Sequence, residues 1–423
     1  MRRLIFLLLA ITAIATAHSS SAQELLYTPD SILIKLRESA QISGTAQSKA
    51  VIQQQNQLKL YEDPDPFVLD EGLLIDFGWC RQPERNITYR DQVTRLTKQS
   101  SYARDMIHLY LYTKNPEVLK VAYDYMNAWA TKSTLLNAYA LGMDTEKNYF
   151  PGIESGFCNR SWNMILDSMW QTYGLMNFSQ VYLTLSQNKN EINITDADLL
   201  RLKNWLLHSL VPAVNAGFHS WTRWADSHPN SGAYLRYRSD NHLGWCLAGL
   251  AAAAQATGDE QLMSYVVFGT EYDDGFSGPY KNPSNLIALT PLAIYEDGEV
   301  YDEQIRASQH KGFSYANFSS WALLHTYISA KSFYADKKDV NIDITEERLL
   351  LAFLRYSKYV SGDVPLPDPE ETTNPSYYAF VYRLAEQWLP SQGALCDAAN
   401  SRDHQKTLQG PGSTALTTFT CDD

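Results

Sequence analysis

Residues Ser239–Gly258 read SDNHLGWCLAGLAAAAQATG, and the spacing of their apolar side chains decides the fold class. Leu243, Cys246, Leu247, Leu250, Ala251 and Ala254 recur at helical intervals, and Gly258 is placed to end the helix in a left-handed conformation. Asp240, Asn241 and His242 stand at the N-terminus of this helix, where backbone N–H groups and the helix dipole favour an anion. The same triplet has a purely structural reading, in which Asp240 or Asn241 caps the helix.

Outward from this helix the pattern stays helical. Ser101–Tyr112 is amphipathic, and Asn115-Pro116-Glu117 opens a second helix carrying Val118, Val121, Ala122, Tyr125 and Trp129. Further helices are predicted from Arg160 to about Leu175, from Asp196 to about Val214 and onward from Asp259. Three more are predicted near Gly312–Phe333, Ile344–Tyr359 and Ser376–Gln387. Short Gly/Asn/Asp turns join them in pairs, which predicts antiparallel hairpins. No repeat of fixed length is visible, so an all-α closed helical ring is expected rather than a solenoid. His219–Asp240 and Phe268–Asp302 read as long, aromatic-rich binding loops, and the chain beyond Leu389 as a polar tail. The expected organisation is a leader over residues 1–22, one catalytic-type domain over 23–388 and a tail over 389–423.

The leader has a positive start (Arg2, Arg3), an apolar run Leu4–Ala17 and a small-residue cleavage site Ser20-Ser21-Ala22. A secreted or periplasmic product is therefore expected, with no membrane association after cleavage. Removing the leader takes the formal charge from −12 to −14. That acidity argues against a nucleic-acid partner. The five cysteines are too few and too widely spaced for a disulfide scaffold. Cys80, Cys158 and Cys246 each follow a Gly-aromatic pair and read as small core residues, while Cys396 and Cys421 are candidates for a local bridge. No Cys/His cluster has the spacing of a zinc site, so neither metal nor cofactor is expected. Sequons stand at Asn86, Asn159, Asn177, Asn193 and Asn317. Ten Trp and 27 Tyr in a secreted chain suit stacking on sugar rings, although most must be core.

A second segment, Asp297–Phe318 (DGEVYDEQIRASQHKGFSYANF), bears on chemistry. Glu303, Arg306 and His310 are spaced three and four apart and would share one helical face, with Tyr315 five residues on. Alone, this reads as an exposed face with a Glu–Arg pair. Together with Asn241 and His242 it supplies an amide, imidazoles, a guanidinium and a phenol, which suits acid–base work on an anionic sugar. Trp221, Arg223, Trp224, Tyr234, Arg236 and Arg238 alternate aromatic rings with guanidinium groups outside the predicted helices and are candidates to line a groove. Arg160 and Trp162 follow a Gly-rich loop and either line the groove or start a helix with Trp162 in the core.

At these residues the chain resembles the alginate lyase family. The likeness is carried by Asn241-His242 with Trp245, the Ala-rich helix ending in Thr257-Gly258-Asp259, the Glu303-x-x-Arg306 segment with Tyr315, and SYARDMIHLYLYTKNPEVLKVAYDYMNAWA over 101–130. It extends over roughly Ser100–Lys331. It implies an (α/α) toroid that cleaves a polyuronate by β-elimination, as mannuronate and glucuronan lyases do. By this resemblance Asn241 and His242 meet the substrate carboxylate, Arg306 matches the family arginine and Tyr315 the following tyrosine; Trp245 joins the binding set. Two departures are evident. Position 240 is Asp where many relatives carry Asn, and Arg306 and Tyr315 stand farther apart than in mannuronate lyases. The spacing through His310 is closer to other branches, and Tyr234, Tyr237 or Tyr301 are alternative phenols.

The chemistry explains the residue types. Asn, Arg or His⁺ beside the uronate carboxylate stabilises the enolate-like dianion that forms when the C5 proton leaves. His242 or a tyrosine is the base, and Tyr315 the acid that protonates O4. The expected partner is an anionic polysaccharide handled by a monomer. Two other classes compete. A glycoside hydrolase needs two opposed carboxylates, for which Asp105, Asp167, Asp240 and Glu303 are available. A polysaccharide-binding protein would keep the ring and lose the chemistry.

Overall fold

Local capping chemistry starts and stops several helices of the computed structural model, which describes residues 25–58, 62–68, 75–76, 87–133, 161–276, 278–337 and 339–400. The side chains of 46, 57, 75–76, 87–91 and 161–167 lie outside that description. The helices are α1 (Asp30–Ala40), α2 (Ala46–Leu58), α3 (Tyr89–Thr113), α4 (Pro116–Lys132), α5 (Ser161–Gln187) and α6 (Asp196–Trp205). They continue with α7 (Val211–Ser227), α8 (Arg236–Ser239), α9 (Asn241–Thr257), α10 (Glu260–Phe268) and α11 (Leu286–Ala293). The last are α12 (Tyr301–Arg306), α13 (Gly312–Phe333), α14 (Asp343–Ser361), α15 (Ala379–Trp388) and α16 (Ala394–Asn400).

Asn115 caps α4 by accepting from the N–H of Glu117, with Pro116 in the first turn. Thr195 and Asp198 form a reciprocal capping box on α6. Helix α9 ends at Gly258, whose φ of 69° is cheap only without a Cβ. The next residue, Asp259, caps α10. The predicted bounds of α9 and α13 match the observed ones.

Helix α5 packs on both α3 and α9, and α9 packs on α13. Each of these inner helices is backed by an outer partner: α3 by α4, α5 by α7, α9 by α10 and α13 by α14. The result is an all-α, incomplete (α/α) toroid. Inner helices α9 and α13 are buried on nearly every side, as their small and apolar composition requires. Gly249 allows α9 to approach α5, since a Cβ there would stand 2.8 Å from Cγ2 of Thr172. The segment Leu25–Tyr27 is buried and ties the ring together: Leu26 N–H donates to Gln180 on α5 at 2.7 Å, and the Trp388 indole donates to the Tyr27 carbonyl at 3.0 Å.

Three sequence expectations are corrected. His219–Asp240 is not a loop throughout, because α7 runs on to Ser227 and α8 covers Arg236–Ser239. The predicted helix ending near Val214 continues: a wide π turn covers Leu206–Leu210, Pro212 sits in the first turn of α7 where its missing N–H costs little, and the chain stays helical to Ser227. Phe268–Asp302 contains α11 and a short hairpin pairing Glu271 with Lys281 and Tyr272 with Tyr280. The polar tail begins later than Leu389, because α16 buries Leu395 and Ala399 against α14 and α15. Cys396 is disulfide-bonded, to a partner outside the described residues; Cys80, Cys158 and Cys421 lie outside them too. Asn177 and Asn317 are 1% exposed, so these two sequons sit in the packed interior.

Candidate active site

The N-terminal ends of α5, α9 and α13 surround a cleft of about 270 Å³ lined by Met169, Trp170, Asn241, His242, Ser314, Tyr315, Phe318 and Tyr378. Asn241, His242 and Tyr315, read from two separate stretches of sequence, therefore meet in one place. Tyr315 is the one of the four candidate phenols that lines this cleft. Arg306, at the end of α12, holds its guanidinium 4.5 Å from the centroid of the Tyr315 ring.

Two buried carboxylates hold the Asn-His pair from behind. Asp240 is the N-cap of α9, accepting from the N–H of His242 at 3.0 Å. Both its oxygens also lie 3.1 Å from Nδ1 of the same histidine. A carboxylate accepts, so Nδ1 carries a proton, and in the neutral ring Nε2 is the nitrogen with the lone pair. The Asp240 side chain is fully buried and turned toward His242, with Arg236 Nε 3.6 Å away. Its charge thus serves the imidazole from behind rather than standing beside a substrate. The capping reading and the functional reading of this residue are both satisfied.

Asp302 does the corresponding work for Asn241. It accepts from the Asn241 N–H at 2.7 Å and from Nδ2 at 3.3 Å. Burial pushes its carboxyl up to about 7, the nearby Asp240 charge adds to the rise, and His242, Asn241 and Arg306 oppose it. Asp302 and Arg306 are four apart on α12, so this one bond network pins the Arg306-bearing helix to the N-terminus of α9. Sequence reasoning missed Asp302, although it lies within the singled-out segment, because attention went to the face carrying Glu303.

The first two N–H groups of α9 are taken by Asp302 and Asp240. An anion in the cleft must therefore be met by side chains: the second Nδ2 hydrogen of Asn241, the His242 ring, and the Tyr315 hydroxyl.

The predicted common face of Glu303, Arg306 and His310 does not form. Helix α12 stops at Arg306, a 3₁₀ turn covers Ala307–Gln309, and His310 adopts φ 53°. His310 is consequently turned out to solvent, where Asp368 (2.9 Å) and Glu370 (3.1 Å) hold its two ring nitrogens and raise its pKa. Glu303 is bonded instead by the Tyr356 hydroxyl. Glu371, near the two His310 partners, accepts from the N–H groups of Phe313 and Ser314 and so caps α13 beside Tyr315. Tyr378, another residue not anticipated, donates to the Ser314 carbonyl at 2.9 Å, and burial pushes its phenol up to about 12.

The aromatic groove candidates are placed differently from the sequence reading. Trp245 is fully buried and Trp221 is 1% exposed, so neither ring offers a face to a sugar. Trp221 packs behind His242, with ring centroids 5.4 Å apart, and against Tyr237. Trp224 stacks on His228 at 4.5 Å. Arg238 is tied to Asp226 at 2.9 Å and lies over the Tyr234 ring, and Arg223 lies over Tyr280. Helices α7 and α8 face each other through Trp221–Tyr237, Trp224–Tyr237 and Asp226–Arg238, so these side chains are largely engaged with one another. Arg236 remains partly exposed beside Asp240. Arg160 and the Trp162 side chain lie outside the described residues.

No carboxylate is among the described residues lining the cleft. Asp105 is 2.6 Å from Arg104 and lines a separate groove, and the Asp167 side chain is outside the description. Among the described residues no group of His, Cys, Asp and Glu could hold a metal ion, and no helix is long and apolar enough to cross a membrane.

Fold and cleft together define the protein as an (α/α) toroid with a His/Asn/Tyr cleft at the N-terminal ends of its inner helices. Its fold is similar to that of an alginate lyase from Bacteroides ovatus, with a TM-score of 0.53 and 14% identity over 94% of this chain and 99% of that one. No family model and no curated protein matches the sequence.

Proposed function

We propose that this protein is a polysaccharide lyase that cleaves a polyuronate by β-elimination, alginate being the first candidate substrate and glucuronan the second. The observation carrying this reading is the convergence of Asn241, the Asp240-held His242 and Tyr315 on one cleft. Asn241 donates its free amide hydrogen to the uronate carboxylate and stabilises the charge that builds there. His242 Nε2 takes the C5 proton, the C5–H electrons form the C4=C5 double bond, and the C4–O4 bond breaks. The Tyr315 hydroxyl gives its proton to O4, and solvent returns the proton from His242 to Tyr315. Arg306, over the Tyr315 ring, faces the phenolate left by that transfer with a positive charge.

A hydrolase needs two opposed carboxylates, and the described lining of the cleft has none. Secretion, proposed on the leader-like pattern of residues 1–22, brings the enzyme to its polymer outside the cytoplasm. The test is incubation with alginate blocks, glucuronan and glycosaminoglycans over a range of pH and salt. A lyase generates a conjugated double bond that absorbs in the ultraviolet. New reducing ends without absorbance point to a hydrolase, binding with neither points to a non-catalytic module, and either outcome overturns the proposal.

A further inference from the structure

Trp170 is an exposed tryptophan on an otherwise buried stretch of an inner helix. It is 41% exposed, whereas Met169 before it and Gln171 and Thr172 after it are 4%, 0% and 0% exposed. Among the described residues, the other large exposed apolar side chains are aliphatic, phenylalanine or tyrosine, and none of them lines the cleft. An indole left in water forfeits a large apolar burial, and on an inner helix such a residue calls for an explanation.

The ring is built in place. Its edge-to-face partner is Tyr173, with centroids 5.4 Å apart at 89°, and Tyr173 in turn meets Trp245 at 5.3 Å and 82°. Trp245 is wedged against Phe318 and Trp321. The indole is therefore held by one flank through a chain of buried rings. The same chain fixes its level: Trp170 lies one helical turn before Tyr173, as His242 lies one turn before Trp245. Trp170 and His242 both line the cleft, on the packed helices α5 and α9.

We propose that Trp170 is the platform of a separate pyranose subsite, stacking on the C–H face of the sugar adjoining the reacting uronate. Met169 and Phe318 complete its apolar wall. The proposal rests on the lyase reading for which sugar reacts, but the stacking itself needs only a uronate chain in the cleft. Charge at the reaction centre is handled by Asn241, His242 and Tyr315, so the platform acts on binding and leaves the chemical step alone.

The experiment compares Trp170→Ala, Trp170→Leu and Trp170→Phe with the parent on polyuronate. Trp170→Ala and Trp170→Leu are expected to raise KM about tenfold with kcat within threefold, and Trp170→Phe to restore most of the affinity. A side chain this exposed leaves the thermal unfolding midpoint nearly unchanged, which separates binding from folding. Unchanged KM, or a fall in kcat at constant KM, overturns the platform. Calorimetric titration with uronate oligosaccharides separates this proposal from the lyase reading. If the parent binds without cleaving and Trp170→Ala loses that affinity, the lyase reading fails and the subsite stands. No binding by the parent, or equal binding by the variant, overturns the subsite.

Discussion

Asp240→Asn isolates the role of the carboxylate behind His242. Asparagine is as good an N-cap as aspartate, so the bond from the His242 N–H is retained and α9 keeps its start. The second oxygen becomes an NH₂ group facing Nδ1, now 3.1 Å away. The retained Oδ1 also lies 3.1 Å from Nδ1, but the new NH₂ group competes for that nitrogen, so the tautomer in which Nδ1 accepts and Nε2 carries the proton gains population, and the imidazolium formed on proton abstraction loses its counter-charge. In that tautomer the base points a hydrogen at the substrate instead of a lone pair. Loss of a positioned base costs about 10²–10⁴ in rate, or about 2.7–5.4 kcal/mol in barrier at 1.36 kcal/mol per decade. The assay is the initial rate of ultraviolet absorbance on the best polyuronate, with circular dichroism and thermal unfolding run alongside. We expect kcat to fall by about 10³ with KM within a few-fold and the fold intact. A variant that keeps kcat within threefold, while His242→Ala is inactive, would refute the tautomer argument.

Asn241→Ala and His242→Ala are each expected to abolish turnover with the helical signal unchanged in circular dichroism; unfolding of either would return the pair to a structural role. Trp245→Ala is expected to cost about 3–5 kcal/mol in urea unfolding, as a fully buried tryptophan should; a stable variant with raised KM would make Trp245 a substrate contact after all. Asp302 predicts a pH effect. Its carboxyl, near 3.9 unfolded and about 7 folded, binds more protons in the native state, so its contribution to stability is present below about pH 4 and lost as pH rises toward 7. Asp302→Asn removes that loss, so stability of the variant relative to the parent should climb by on the order of 2–4 kcal/mol between pH 4 and 8 in urea unfolding. His219 and His325, pushed down to about 3 by burial, contribute the opposite slope equally to both proteins and cancel. A pH-independent difference would sink the assignment.

The long helices from α3 onward were legible in the amino-acid pattern, whereas α1, α2, α8, α11 and α16 were not. Capping residues and apolar spacing are local signals, which is why α9 and α13 were legible to the residue and the Asn241–His242 pair stood out. The sequence also singled out the segment carrying Arg306 and Tyr315. Tertiary structure decided which side chains face which. The short α12 ends before His310, so residues with helical spacing part company at a 3₁₀ turn that no periodicity announces. Trp221 and Trp245 stack readily on sugar in principle, yet the interior took them, and the exposed ring is Trp170, which no sequence pattern singled out. Asp302 and Glu371 reach their partners across 61 and 57–58 residues of chain. A one-dimensional pattern carries periods, and the cleft is made by contacts between elements; the Asp-Asn-His triplet was readable because its Asp-His contact is two residues long.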